Sequence, residues 1–136
     1  MIPRFFRRYK QEETNDHIVV ARHLRIYYPD CLFTIAPSGM KLPKSVAVRL
    51  KLMGYRKGTP DILIFEARKG FHGLLIEMKK LKGGTKEKSQ KEFRQAAIDR
   101  GYKSVFAEGS QLAISIIEDY LGPTLKTDIG EMVAKR

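Results

Sequence analysis

Two short apolar runs, Asp61-Ile62-Leu63-Ile64-Phe65 and Gly73-Leu74-Leu75-Ile76-Glu77-Met78, flank the polar, glycine-containing stretch Ala67-Arg68-Lys69-Gly70. Apolar runs of this length bounded by turn residues read as strands, and two of them around a short turn read as a β-hairpin. Both strands are apolar on both faces, which predicts a central place in a sheet covered on either side. The hairpin centres near Lys69, and Asp61 and Glu77 each lie eight residues from it. Directly opposed residues of an antiparallel pair stand within roughly 5 Å of each other. Lys79 follows Glu77 by two residues and so projects from the same strand face. The pattern therefore predicts two carboxylates and an amine gathered at one end of a hairpin.

The remaining chain alternates helical and extended patterns. A first helix is expected from about Gln11 to Tyr28, with Glu13, His17, Val20 and Leu24 on one face. Leu32–Ala36 reads as a strand, and a loop runs from Pro37 to Pro43. A second helix is expected over Lys44–Met53, with Val46, Leu50 and Met53 on its inner side, Lys44, Arg49 and Lys51 outside, and Gly54 as its cap. After the hairpin, Lys79–Lys86 reads as a basic, glycine-rich loop. A third helix runs to about Arg100, with Ser89 and Glu92 at capping-box spacing or an earlier start at Thr85. Ser104–Ala107 reads as a fourth strand. A fourth helix is capped by Ser110, directs Leu112, Ala113, Ile116, Ile117 and Tyr120 inward, and stops at Gly122-Pro123. Strands interleaved with helices in this order predict an α/β fold with a mixed central sheet flanked by helices. Residues 1–10 read as a basic arm, 11–122 as one domain, and 123–136 as a tail.

Charge narrows the partners. The 136 residues hold 26 Lys and Arg against 15 Asp and Glu, a net charge of +11. A domain this basic favours a polyanion, most commonly nucleic acid. Lys41, Lys44, Lys51, Arg56 and Lys57 precede the hairpin site, and Lys80, Lys82, Lys86 and Lys88 follow it, so these are candidate phosphate contacts. The single cysteine, Cys31, excludes an internal disulfide or a zinc site built on cysteines, and its apolar neighbours predict a small core residue. No apolar run approaches the ~20 residues needed to span a bilayer, and no signal-peptide core follows the basic start. The expectation is a soluble cytoplasmic protein with no membrane partner. His17, His23 and His72 lack ligand spacing with one another, so no histidine-based metal site is expected.

Asp61, Glu77 and Lys79 are the residue types that phosphodiester hydrolysis needs. A hard divalent cation neutralises the phosphate and lowers the pKa of a bound water. Carboxylates are its natural ligands, and Mg²⁺ usually takes one or two of them and keeps several waters. Asp61 and Glu77 would fill that role, with the backbone carbonyl of Met78 as a further ligand. Lys79 would hold or deprotonate the attacking water and stabilise charge developing on phosphorus. Glu13 sits on the apolar face of its helix, where a carboxylate needs a partner, and is a candidate third acid. Glu12 and Asp16 are the neighbouring alternatives. Gln90, at the start of the third helix, could hydrogen-bond the water or the scissile phosphate.

With these residues in place, Gly58-Thr59-Pro60-Asp61, Glu77-Met78-Lys79, Gln90 and Gly101-Tyr102 make the chain resemble a VRR-NUC domain, a branch of the PD-(D/E)XK nuclease superfamily. The similarity runs from about Glu12 to Leu121. It departs at His17, where the family often has Gln, and at Ser38 and Lys41, where Asn and Arg are common. The resemblance implies a restriction-endonuclease-like core, Mg²⁺ or Mn²⁺ as cofactor, Asp61, Glu77 and Lys79 as the catalytic core, support from Gln90, and an acid from the first helix. Small stand-alone members resemble Holliday-junction resolvases. That implies a homodimer acting on branched or four-way DNA. Two other classes remain: a non-catalytic nucleic-acid-binding module, and a restriction-type nuclease acting on linear duplex.

Overall fold

The computed structural model describes residues 11–36, 42–81 and 84–122, with the side chains of residues 11–14 excepted. The expected basic arm (1–10), the tail (123–136), Lys41 and Lys82 lie outside the described residues. The elements follow the order α1 (Gln11–Tyr27), β1 (Phe33–Ile35), α2 (Lys44–Leu52), β2 (Ile62–Ile64), β3 (Leu74–Lys79), α3 (Lys88–Asp99), β4 (Lys103–Glu108) and α4 (Gly109–Leu121).

One four-stranded sheet runs in the order β1-β2-β3-β4. β1 and β2 pair antiparallel, as do β2 and β3, while β3 and β4 pair parallel. The sheet is thus mixed, with the hairpin strands central. The hairpin register is Ile62 opposite Ile76, Leu63 opposite Leu75 and Ile64 opposite Leu74. Every pair is symmetric about Lys69, so extending the ladder by one step sets Asp61 against Glu77. At the turn, Arg68 pairs with Phe71, a register one residue out of step with the strands. The first strand carries the extra residue, as a bulge does. Lys69 (φ 50°) and Gly70 (φ 84°) supply the two left-handed positions that a tight hairpin turn of matching twist requires.

Burial defines the layers, and β3 is buried on both faces over Leu74–Met78. Val20 and Leu24 of α1 and Ala113, Ile117 and Tyr120 of α4 are buried, and with Ile62, Ile64, Leu74, Ile76, Met78 and Ala107 they form the core. Cys31 packs against this core as a free thiol. The Tyr120 hydroxyl donates to the Glu66 carbonyl at 2.6 Å, tying α4 to the hairpin. Glu118 of α4 accepts from Tyr28 at 2.6 Å and meets His23 at 2.5 Å, tying it to α1.

Several local expectations are corrected. The capping box of α3 is Glu87 with Gln90, not Ser89 with Glu92. Glu87 lies one residue before the helix, where its extended backbone leaves it free to exchange hydrogen bonds with the third helical residue. Helix α4 begins at Gly109 after Glu108, so Ser110 lies inside it. Leu112, expected inward, is 45 % exposed, and α2 buries none of its residues despite its apolar positions.

Leu24, fully buried between α1 and the sheet, is expected to show the cost of a core cavity. Leu24→Ala should lower the unfolding free energy by about 2–4 kcal/mol, whereas Leu52→Ala on α2 should change it by less than about 0.5 kcal/mol. Urea denaturation followed by circular dichroism measures both.

Candidate active site

The hairpin ends before Asp61 can join the ladder through its own backbone, and its side chain takes over. The Asp61 carboxylate accepts from the Met78 backbone N–H at 2.8 Å, closing the strand end that the sheet leaves open. The Asp61 carbonyl accepts from Ala36 N–H at 2.8 Å, so the residue is held from both flanking strands. Asp61 is 5 % exposed and Glu77 7 %. Two carboxylates this deep repel each other in a poorly solvated place.

That repulsion shows on Glu77. Burial, reinforced by the nearby Asp61 charge, pushes its carboxyl up from 4.5 to about 7, against a smaller opposing pull from Lys79 and His17. Glu77 Oε1 accepts from Gln90 Nε2 at 2.6 Å and lies 3.7 Å from Lys79 Nζ. Lys79 Nζ donates to Gln90 Oε1 at 2.6 Å. Gln90 therefore bridges the acid and the amine, and its Oε1 also accepts from Glu87 N–H at 3.1 Å. The capping box that starts α3 is what orients the amide. Below the amine, Lys79 Nζ and Lys86 Nζ lie 5.9 and 5.1 Å from the centre of the Phe106 ring, a cation–π platform.

Gly58 explains how the Gly-Thr-Pro-Asp turn meets α3. Its φ is +90°, and a Cβ there would lie 2.3 Å from the Ser89 carbonyl oxygen and 2.9 Å from Gln90 N. Only glycine lets the loop rest on the first turn of α3, and this close approach seats Gln90 beside the hairpin. Thr59 Oγ1 donates to the Arg56 carbonyl at 2.5 Å, and the Arg56 guanidinium sits 5.5 Å from the Phe93 ring centre of α3.

The fold brings Asp61, Glu77, Lys79 and Gln90 together. Met78 stands between Glu77 and Lys79 in β3, so its carbonyl belongs to the same strand end. Glu13 lies in the first turn of α1, and its side chain is outside the described residues, as is that of Glu12. Asp16 is half-buried. His17 is the residue that sequence reasoning passed over: its Nε2 stands 3.7 Å from Asp61 Oδ2. The signal was its place on the same helical stripe as the buried Val20 and Leu24, four residues after Glu13. His23 is engaged by Glu118, and His72 is an exposed residue of the hairpin, its ring 5.7 Å from that of Tyr102.

Among the described residues, no group of three or more His, Cys, Asp or Glu side chains is arranged to hold a metal ion. The donor set nonetheless fits a hard cation at one atom in particular. Glu77 Oε2 is buried with no hydrogen-bond partner. A buried carboxylate oxygen without a donor is costly and calls for a partner such as a cation. Of the candidate phosphate contacts, Lys44, Lys51, Arg56, Lys57, Lys86 and Lys88 are exposed and Lys80 is half-buried.

Two variants test this geometry. Gly58→Ala should cost about 2 kcal/mol or more, because both the φ and the contact with Ser89 must change. A raised carboxyl pKa means the folded protein holds its proton more tightly than the unfolded chain. The contribution of Glu77 to metal-free stability should therefore be full below about pH 4.5 and fall as pH rises to about 7. In EDTA at pH 8, Glu77→Gln should unfold at higher urea than the natural sequence, by on the order of 2 kcal/mol.

No family model and no curated protein sequence matches the chain. A solved structure described as a VRR_NUC domain protein does match, with a TM-score of 0.67 and 30 % sequence identity over 81 % of this chain and 87 % of that one. The mixed sheet, its flanking helices and the hairpin ending in Asp61 and Glu77 are accordingly those of an α/β nuclease fold, and the chain belongs to the VRR-NUC domain family.

Proposed function

We propose that the protein is a metal-dependent DNA endonuclease that hydrolyses phosphodiester bonds in branched DNA, in the manner of a Holliday-junction resolvase. The observation that carries the reading is the convergence of Asp61, Glu77, Lys79 and Gln90, with one buried Glu77 oxygen left without a donor. Asp61, Glu77, the Met78 carbonyl and Glu13 would hold Mg²⁺ or Mn²⁺, which supplies neutralisation of the phosphate and a more acidic water.

The chain's own residues do the rest. Lys79, buried to 10 % side-chain exposure, presents its amine, aimed by Gln90. In that place it holds the attacking water and stabilises the extra negative charge on phosphorus. Gln90 can exchange its bond to Lys79 or Glu77 for one to the water or the phosphate without moving its backbone, because Glu87 and Gly58 fix the start of α3. The exposed cations on either side of the hairpin carry the DNA backbone. A homodimer would set two such sites on one four-way junction.

Asp61→Asn and Lys79→Ala should each lower cleavage by a factor of about 10³ or more, while binding of the same DNA in EDTA persists. Linear, flap and four-way DNA, each with Mg²⁺ and with EDTA, provide the assay. Binding to all three without cutting under either metal would leave a nucleic-acid-binding module instead. Discrete cuts on linear duplex, with no preference for branches, would favour a restriction-type enzyme. Because a proton and a cation compete for Glu77, Mn²⁺ affinity should weaken as pH falls below about 7, an effect that calorimetric titration reads directly.

A further inference from the structure

Helix α2 carries apolar residues on both of its sides and buries none of them fully. Its residues are exposed except for the half-buried Leu50, and none is fully buried. The half-buried Leu50 marks the side toward the protein. On the far side lie Val48 and Leu52, one turn apart, 51 % and 84 % exposed. At 100° per residue, Lys44 and Lys51 border this pair on one side and Arg49 on the other. An apolar stripe is normally turned to the core, so its outward placement needs a partner.

The charge of the segment says which partner. Residues 42–60 contain Lys44, Arg49, Lys51, Arg56 and Lys57 and no acid. A second copy of this helix would bring the same cations against themselves across a two-fold axis, with nothing to neutralise them. An intact duplex would satisfy the cations but leave Val48 and Leu52 facing a charged groove wall. A strand with an unstacked base satisfies both, because its phosphates meet the lysines and arginine while the base face covers the apolar pair. Apolar side chains inserted at opened steps are an established way for proteins to hold distorted DNA.

The helix is also in reach of the cleavage centre. Leu52 and Asp61 are nine positions apart in the chain, so the two lie no more than ~30 Å apart, less than one turn of DNA. Arg56 over Phe93 and Gly58 against Ser89 anchor the connecting segment to the α3 turn that carries Gln90.

We propose that the outward Val48–Leu52 stripe of α2, framed by Lys44, Arg49 and Lys51, is the surface that receives unstacked bases and gives the protein its preference for opened DNA. This rests on the nuclease reading and names the part of the chain that selects its substrate.

The test is a binding titration of the full chain in EDTA, with a fluorescein-labelled continuous duplex and a three-way branched DNA of the same length. A 2-aminopurine placed next to the branch reports unstacking. The natural sequence should bind the branched DNA more tightly and brighten the 2-aminopurine. The double variant Val48→Ser/Leu52→Ser should weaken branched binding about tenfold or more, abolish the brightening, and bind duplex as before. Leu52→Met alone should keep the preference. If the double variant binds both DNAs as the natural sequence does, the α2 inference is overturned and the nuclease reading stands. Failure of the natural sequence to bind any DNA would overturn both. Light scattering on the same samples completes the test: a dimer turned to monomer by the double variant would assign the stripe to a second copy and overturn the proposal.

Discussion

The bond from the Met78 N–H to the Asp61 carboxylate holds the site together. β2 is three residues long and β3 is six, so the hairpin runs out of partner strand before β3 ends. An open backbone N–H in the middle of a buried sheet is costly. Asp61 removes that cost with its side chain, and in doing so it places one carboxylate beside Glu77. Structural satisfaction and chemical preparation are one arrangement, and the remainder of the fold supports it. β1 grips the Asp61 carbonyl through Ala36, and the core of α1, α4 and the sheet fixes the height of the strand end.

The consequence is a site under electrostatic tension. Two acids in a poorly hydrated corner cannot both be comfortably ionised, and Glu77 carries the strain as a raised pKa with an undonated oxygen. Lys79 and Gln90 relieve only part of it. Such tension lowers stability where function requires it. A cation would remove it, which is why the same side chains that destabilise the metal-free protein are those proposed to hold the metal.

Glycine and helix capping explain how distant segments are brought to this corner. Gly58 approaches Ser89 more closely than any side chain would allow, and the Glu87–Gln90 capping box turns the glutamine amide toward Glu77 and Lys79. The turn before β2 and the turn before α3 thus form one rigid seat. The outward apolar stripe of α2 lies just upstream of that seat, so substrate selection and catalysis would share a short, anchored stretch of chain.

What the sequence settled by itself is what depends on local pattern. The hairpin symmetric about Lys69, the order of helices and strands, and Asp61, Glu77 and Lys79 at one strand end all follow from strand periodicity and turn chemistry, which act over a few residues. The tertiary structure decided what depends on contacts between segments. The N-cap positions of α3 and α4 each shifted by two residues because backbone conformation at each entry, not spacing, selects the cap. His17 reached Asp61 only because the packing of α1 turned that stripe toward the site. Leu112 and the whole of α2 stayed exposed because helical periodicity identifies a stripe but cannot say whether the fold, or a partner, will cover it.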